Sequence, residues 1–245
     1  MPRSGQSPIE AWLPALRPGR WFAELGEQAQ RALLAEARTV ELSAGATLFH
    51  RGDACDGLYA VLDGAVRIGA VDAAGRDLLL QVLGAPHWFG EIAVIDGGAR
   101  THDVSARGDC RLLKVPMAAL QHLLDDDPRW WRHLGRLLAE KSRALLAGLE
   151  QTAALPAPQR IALRLLALAD GHGMLAAGVV QRELALNQEQ LGAMLALSRQ
   201  TVSETLGEFE ARGWLRRGYG RIELLDAAAL RALVDQPPKS SGKPT

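Results

Sequence analysis

Residues 187–212 read NQEQLGAMLALSRQTVSETLGEFEAR, and residues 213–224 continue as GWLRRGYGRIEL. The apolar spacing predicts a short helix over Asn187 to Leu195, a tight turn at Ala196-Leu197, and a second helix from its N-cap Ser198 to about Arg212. This is helix-turn-helix spacing. Leu191, Leu195, Val202 and Leu206 fall where two such helices cross, while Arg199, Gln200 and Ser203 fall on the outer face at the start of the second helix. Side chains placed there can enter a major groove, where arginine pairs with guanine edges and glutamine with adenine. The following segment reads as two strands around a glycine-rich turn, a wing whose Arg216, Arg217 and Arg221 can touch phosphates.

Charge leaves a plainer alternative open. Arg182, Arg199, Arg212, Arg216, Arg217 and Arg221 are matched by Glu183, Glu189, Glu204, Glu208, Glu210 and Glu223, so the segment is locally neutral, as a solvated helical hairpin would be. Ala196 also stands where such a turn favours glycine, at a cost of about 1 kcal/mol.

Upstream, Pro156-Ala157-Pro158 reads as a hinge, followed by a helical segment from Gln159 to Ala169. Before the hinge, a long helix is expected from Pro128 to about Leu155. Trp131, Leu134, Leu138, Leu145 and Leu149 form an apolar stripe along it, interrupted by Lys141 and Ser142. Such a helix either packs on its own barrel or pairs with its copy, and its length between two domains favours the dimer. Further upstream, Leu25 to Ala37 is helical in spacing. From Val40 the pattern changes to short apolar runs separated by turns such as Ser43-Ala44-Gly45, Arg51-Gly52-Asp53, Leu62-Asp63-Gly64 and Ala73-Ala74-Gly75. Strands near Val40–Leu42, Leu48–His50, Leu58–Leu62, Ala65–Val71, Asp77–Leu83, Asp103–Ala106 and Cys110–Val115 suffice for a double-sheet jelly roll.

The expected class is therefore α+β, with an N-terminal double-sheet β jelly roll, a long central dimerisation helix and a C-terminal winged helix-turn-helix. The expected boundaries are an N-terminal extension over 1–20, the jelly-roll domain over 21–127, the central helix over 128–155, the winged helix-turn-helix domain over 156–235 and a disordered tail over 236–245.

Composition limits what else the chain can be. With 48% hydrophobic and 23% charged residues in 245, it can bury a core. Lys plus Arg equals Asp plus Glu at 28 each, so a nucleic-acid partner must be argued from a local motif, not from net charge. Cys55 and Cys110 are too few for a disulfide framework or a cysteine metal site, which fits a reducing compartment. The first residues lack the apolar core of a signal peptide, and no run approaches the roughly 20 apolar residues of a membrane span. A cytoplasmic protein without a membrane partner is expected.

Phe89-Gly90-Glu91-Ile92-Ala93 and Arg100-Thr101 in the jelly roll, then the long helix, Ser198-Arg199-Gln200-Thr201-Val202-Ser203 and the wing, resemble the CRP/FNR family of bacterial transcription regulators from about Trp21 to Leu233. The resemblance implies a homodimer on a palindromic double-stranded DNA operator, with RNA polymerase as a further partner. It implies DNA contacts from Ser198, Arg199, Gln200, Thr201, Ser203, Glu204, Arg216, Arg217 and Arg221. It also implies an effector cassette of Gly90, Glu91, Ile92, Arg100, Thr101, His102 and Asp103, joined by Leu145 and Leu146 of the central helix. In such a cassette Arg100 supplies a cation, Thr101 a hydroxyl, and Glu91 an acceptor for a ribose hydroxyl. The alternative is that Glu91 and Arg100 pair with each other and hold the loop.

Three departures from the family pattern bear on the ligand. His102-Asp103 follows Arg100-Thr101 where nucleotide binders have small apolar residues, and Asp103 opposes an anion unless strand alternation turns it outward. Leu145 and Leu146 stand where cyclic-AMP-responsive relatives have hydroxyls. Glu204 stands where many relatives have a DNA-contacting arginine. No cofactor is assigned: a small-molecule or nucleotide effector stays open, with cyclic AMP doubted. His102-Asp103 could form a carboxylate-oriented histidine. Six scattered histidines are read as surface or core residues rather than as haem ligands. The competing function is a cupin-like metal-dependent enzyme, which would need closely spaced histidines. His87 and His102 are far apart in sequence and no nucleophile with an adjacent base is apparent, so no catalytic or metal residues are expected.

Overall fold

The computed structural model of the chain describes residues 8–71, 77–171, 175, 180–184 and 186–236. The chain divides into two compact units, Met1–Ser142 with Gly173–Val179, and Arg143–His172 with Val180–Thr245.

In the first unit three helices, α1 (Pro8–Leu16), α2 (Arg20–Ala23) and α3 (Glu27–Leu34), lead into the strands β1 (Arg38–Leu42), β2 (Thr47–Phe49), β3 (Gly57–Asp63), β4 (Ala65–Val71), β5 (Asp77–Gly84) and β6 (Trp88–Phe89). The short helix α4 (Glu91–Asp96), the strands β7 (Asp103–Ala106) and β8 (Cys110–Pro116), and the helix α5 (Met117–Asp126) follow. Two antiparallel four-stranded sheets, ordered β1-β8-β3-β6 and β2-β7-β4-β5, form the jelly roll. Between them lie Tyr59, Val61, Val66, Phe89, Val104 and Leu112.

Strand β3 shows why the barrel and its helices hold together. Every residue from Gly57 to Leu62 is buried, because both faces are covered. Tyr59 and Val61 enter the core between the sheets, while Leu58, Ala60 and Leu62 join Leu16, Phe22, Leu33 and Leu120 in a second core under the helices. A strand buried on both sides reads as a continuous apolar run, here LYAVL, rather than as an alternation.

The N-terminal extension expected over residues 1–20 is corrected in part. Leu13 and Leu16 of α1 are buried in the second core, so residues 8–16 belong to the barrel unit. Pro14 within a nine-residue helix hid this from pattern reading. The two-residue strand β6 was also too short to leave a periodic signal. The turn at Ala73-Ala74-Gly75 and the tail beyond Gln236 lie outside the described residues.

The long helix, α6 (Arg129–Ala154), is 26 residues long and carries two apolar faces rather than one stripe. Trp130, Leu134 and Leu137 are buried in the core under the barrel helices. Trp131, Leu145 and Leu146 are 45%, 66% and 60% exposed, and Leu138 is half-buried. Leu134 therefore drops out of the expected dimerisation set, because it is already packed inside its own unit. Leu149 is helical, and its side-chain surroundings lie outside the described residues.

The second unit contains α7 (Ala157–Ala169), β9 (Glu183–Leu184), α8 (Gln188–Leu195), α9 (Arg199–Ala211), β10 (Leu215–Gly218), β11 (Arg221–Leu224) and α10 (Ala227–Val234). Its antiparallel sheet is ordered β10-β11-β9. Ile161, Leu165, Leu191, Leu195, Val202, Leu206 and Phe209 close one core with Ile222 and Leu230. Among the described residues no helix is long and apolar enough to cross a membrane.

Candidate nucleic-acid interface and effector cassette

The helix-turn-helix is capped at both helix starts. Asn187 accepts from Gln190 N at 2.8 Å, and the Gln190 side chain accepts from Asn187 N at 3.1 Å, a reciprocal box that starts α8. Ser198 Oγ accepts from Thr201 N at 3.1 Å and starts α9. Between them Ala196 takes a left-handed backbone, φ 50° and ψ 44°, a conformation that costs an alanine about 1 kcal/mol. The glycine this turn requires stands four residues earlier. A Cβ on Gly192 would lie 2.9 Å from Leu197 O, the carbonyl of the residue that closes the turn.

On the outer face Ser198, Arg199, Gln200 and Glu204 are exposed, and Thr201 and Ser203 are half-buried. Gln200 donates to Glu204 at 2.9 Å. The wing hairpin pairs Gly218 with Arg221 and carries Tyr219 fully exposed at its tip. Its arginines are matched by acids: Arg216 with Glu223 at 3.1 Å, Arg217 with Glu210 at 2.7 Å, and Arg221 with Glu183 at 2.8 Å. Backbone and side-chain hydrogen bonds from Arg217 also hold the Glu210 carboxyl below its ordinary range. No ion pair reaches Arg199 among the described residues. Three of the six acids that make this segment neutral are thus spent on the wing, and the recognition helix keeps an unpaired cation at its exposed start. Arg199, Arg217, Tyr219 and Arg221 line one cleft between α9 and the wing.

In the barrel, Gly90 takes a left-handed backbone, φ 92°, and turns the chain from β6 into α4. Glu91 and Arg100 are both about 3% exposed, yet they do not pair with each other. Glu91 bonds Lys141 of α6 at 2.6 Å. Arg100 donates Nη2 to Asp56 Oδ1 at 2.5 Å and to Gly57 O at 2.8 Å, and Nη1 to Gly90 O at 3.2 Å. Its guanidinium lies over Phe49, 4.3 Å from the ring centre, and 5.5 Å from that of Tyr59. Asp56 also accepts from Lys114 and, at 2.7 Å, from the Tyr59 hydroxyl. Burial raises the Asp56 pKa, but the hydrogen bonds from Lys114, Tyr59 and Arg100 outweigh it and bring the carboxyl down to about 2. Burial and the Asp56 charge push Tyr59 the other way, upward.

The family model for the cyclic nucleotide-binding domain matches residues 39–127, and that for the Crp-like helix-turn-helix domain matches residues 159–233. The CRP-like cAMP-activated global transcriptional regulator of Mycobacterium tuberculosis is 31% identical over 209 residues, covering 85% of this chain and 93% of that protein. The chain belongs to the CRP/FNR family. Another relative of this CRP/FNR regulator is the transcriptional regulator SdrP of Thermus thermophilus, 33% identical over 202 residues, 80% of this chain and 94% of that one. The solved structure of FixK2 from Bradyrhizobium japonicum shares the fold at a TM-score of 0.68 and 22% identity, covering 82% of this chain and 98% of that one. The protein is thus a transcription regulator of the CRP/FNR type, and its barrel matches the family model of the cyclic nucleotide-binding domain.

Within this CRP/FNR regulator several cassette readings change. Asp103 does not face Arg100: it accepts from Arg51 N at 2.8 Å and lies 3.4 Å from His50 Nδ1. The alternation of β7 buries Val104 and Ala106, which leaves Asp103 on the opposite face, toward the turn at residues 50–53. The Asp103 objection to an anion therefore falls. His102 does not take Asp103 as an orienting acid either, since its Nδ1 lies 2.9 Å from Thr101 Oγ1, and burial lowers its pKa. Ile92 is 37% exposed on α4. Sequence reasoning missed Asp56, Lys114 and Lys141. Lys141 had left a trace as the polar interruption of an apolar stripe, whereas Asp56 lies 44 residues from Arg100 and is joined to it only by strand packing.

Proposed function

We propose that this regulator binds a two-fold-symmetric operator as a homodimer, reading bases with Arg199 and Gln200, tuning the readout with Ser203 and Glu204, and holding phosphates through Ser198, Thr201 and the wing arginines. The observation that carries this reading is the exposed Arg199, unpaired at the start of a capped helix beside a wing. Two such helices related by dimer symmetry would meet successive major grooves about 34 Å apart. The exposed face of α6, with Trp131, Leu138, Leu145 and Leu146, supports that dimer, since a soluble monomer rarely leaves such a patch in water. We place the protein in the cytoplasm, acting with RNA polymerase at its target promoters. The expected domain boundaries serve this reading: a sensor over 21–127, with α1 now added, a central helix over 128–155 and a DNA-binding domain over 156–235.

For the effector, we infer that cyclic AMP is not the tight ligand of this chain, although the M. tuberculosis relative bears the name cAMP-activated. Leu145 and Leu146 offer no hydroxyl to a base edge, and each unsatisfied buried polar group costs roughly 1 to 3 kcal/mol. Selection from a random-site DNA library tests the main reading: a salt-sensitive palindrome is expected, and the absence of any two-fold-symmetric site would sink it. Calorimetry tests the second, because a dissociation constant for cyclic AMP below about 10 µM would reverse it.

A further inference from the structure

The chain has two tyrosines, and they stand in opposite conditions. Tyr59 is buried between the barrel sheets with its hydroxyl bonded to Asp56. Tyr219 is fully exposed, and among the described residues no hydrogen bond, ring contact or ion pair reaches it. It stands in the turn of the wing, between Gly218 and Arg221, which pair with each other. The turn does not need it. Gly220 supplies the left-handed backbone there, φ 67°, and turns are built from glycine, proline, asparagine, aspartate and serine rather than from tyrosine. Packing does not need it either. A Cβ on Gly218 would lie 2.9 Å from Arg221 Cγ, so the Arg221 side chain lies back across the end of β10. With a glycine on each side, the tip of the wing carries a single side chain, the phenol of Tyr219.

We propose that Tyr219 is a minor-groove contact of the wing: its ring lies on the deoxyribose wall beside the half-site and its hydroxyl donates to an acceptor there, so the operator extends beyond the bases met by α9. This rests on reading α9 as the recognition helix. Four observations point to duplex DNA as the occupant. Tyr219 lines the same cleft as Arg199, so the tip of the wing and the exposed start of α9 face one ligand. Each strand of the wing is four residues long, about 13 Å, which is enough to carry the tip past the phosphate chain bordering a major groove to the minor groove beside it, about 6 Å wide. Arg216, Arg217 and Arg221 must each leave an acid before they touch DNA, whereas Tyr219 breaks no bond within the chain. The chemistry also matches, because a phenol joins an apolar body to a polar end, and a minor groove joins sugar walls to a floor of N3 and O2 acceptors. A protein partner would want apolar surface around the ring, and the tip offers glycines flanked by arginines instead.

The test uses the full-length chain and its Tyr219→Ala and Tyr219→Phe variants on the duplex that wild type selects from a random-site library. Because the side chain packs on nothing, both variants should melt at the wild-type temperature. At fixed salt Tyr219→Ala should bind about tenfold more weakly in fluorescence anisotropy, and Tyr219→Phe, which keeps the ring, should recover part of that loss. Hydroxyl-radical footprinting reads the sugars directly. Wild type should protect a short minor-groove window outside each half-site, and Tyr219→Ala should lose that window while keeping protection within the half-sites. Equal affinity of wild type and Tyr219→Ala, or a footprint that weakens evenly along the site, overturns the proposal. Loss of transcription with DNA affinity intact would assign the tyrosine to a protein partner and overturn it as well. Failure of wild type to select any palindrome would instead count against the regulator reading, and the same comparison on random duplex DNA would then judge Tyr219 by itself, with equal affinities again overturning the contact.

Discussion

Arg100 in the barrel and Arg199 on the recognition helix are the same side chain in opposite circumstances. Arg100 is buried, bonded to a carboxylate and two carbonyls, and stacked on an aromatic ring, while Arg199 is exposed with no ion pair among the described residues. A committed guanidinium stabilises the fold, and an uncommitted one is available to a partner. The wing lies between these cases, because Arg216 and Arg221 each hold an acid at the surface, while Arg217 holds Glu210 in a half-buried pair; exposed pairs such as the first two contribute at most about 1 kcal/mol and can be exchanged for phosphate contacts.

The sharpest test of held against available runs along α6. Leu134→Asp places an unpaired charge in the barrel core and should cost about 4 kcal/mol or more, seen as loss of the cooperative melt. Leu138→Asp, four residues on, should leave the monomer folded and dissociate the dimer in sedimentation velocity. If both variants behave alike, the division of the helix into an inner and an outer face is wrong.

The arginines come next in size. Arg100→Ala should cost about 3 kcal/mol in denaturant unfolding, at the low end for a broken buried pair because Asp56 is partly solvated. Arg199→Ala should leave stability within about 0.5 kcal/mol and cost about 1 to 3 kcal/mol in specific DNA binding. Stability loss from the second, or none from the first, breaks the comparison.

Titration gives a smaller effect with a definite sign. The Asp56 carboxyl is held near 2 against an ordinary 3.8, so the folded state binds that proton more weakly than the unfolded state does. Its contribution is fully present above the ordinary value and is lost as pH falls through 3.8 toward 2. Urea midpoints between about pH 5 and 3 should therefore fall more steeply for wild type than for Asp56→Asn. The smallest change expected is at the turn: Ala196→Gly should stabilise the winged helix by up to about 1 kcal/mol by relieving the left-handed alanine, measured as a raised melting temperature.

Local chemistry and periodicity determined a large part of this protein from the sequence alone. The cap at Ser198, the crossing residues Leu191, Leu195, Val202 and Leu206, the wing and the alternating strands could be read because each depends on neighbours within a few residues. The positions of Glu91 and Arg100 in the cassette were legible in the same way, as a motif. Their partners were not. Only the tertiary structure decided that Arg100 bonds Asp56, that Glu91 bonds Lys141, that Asp103 turns toward Arg51, and that Leu134 and Leu138 on one helix serve different surroundings. A charge chooses its partner by distance in space, and strand pairing between β3 and β8 brings Asp56 and Lys114 together across a separation of 58 residues that no local pattern encodes.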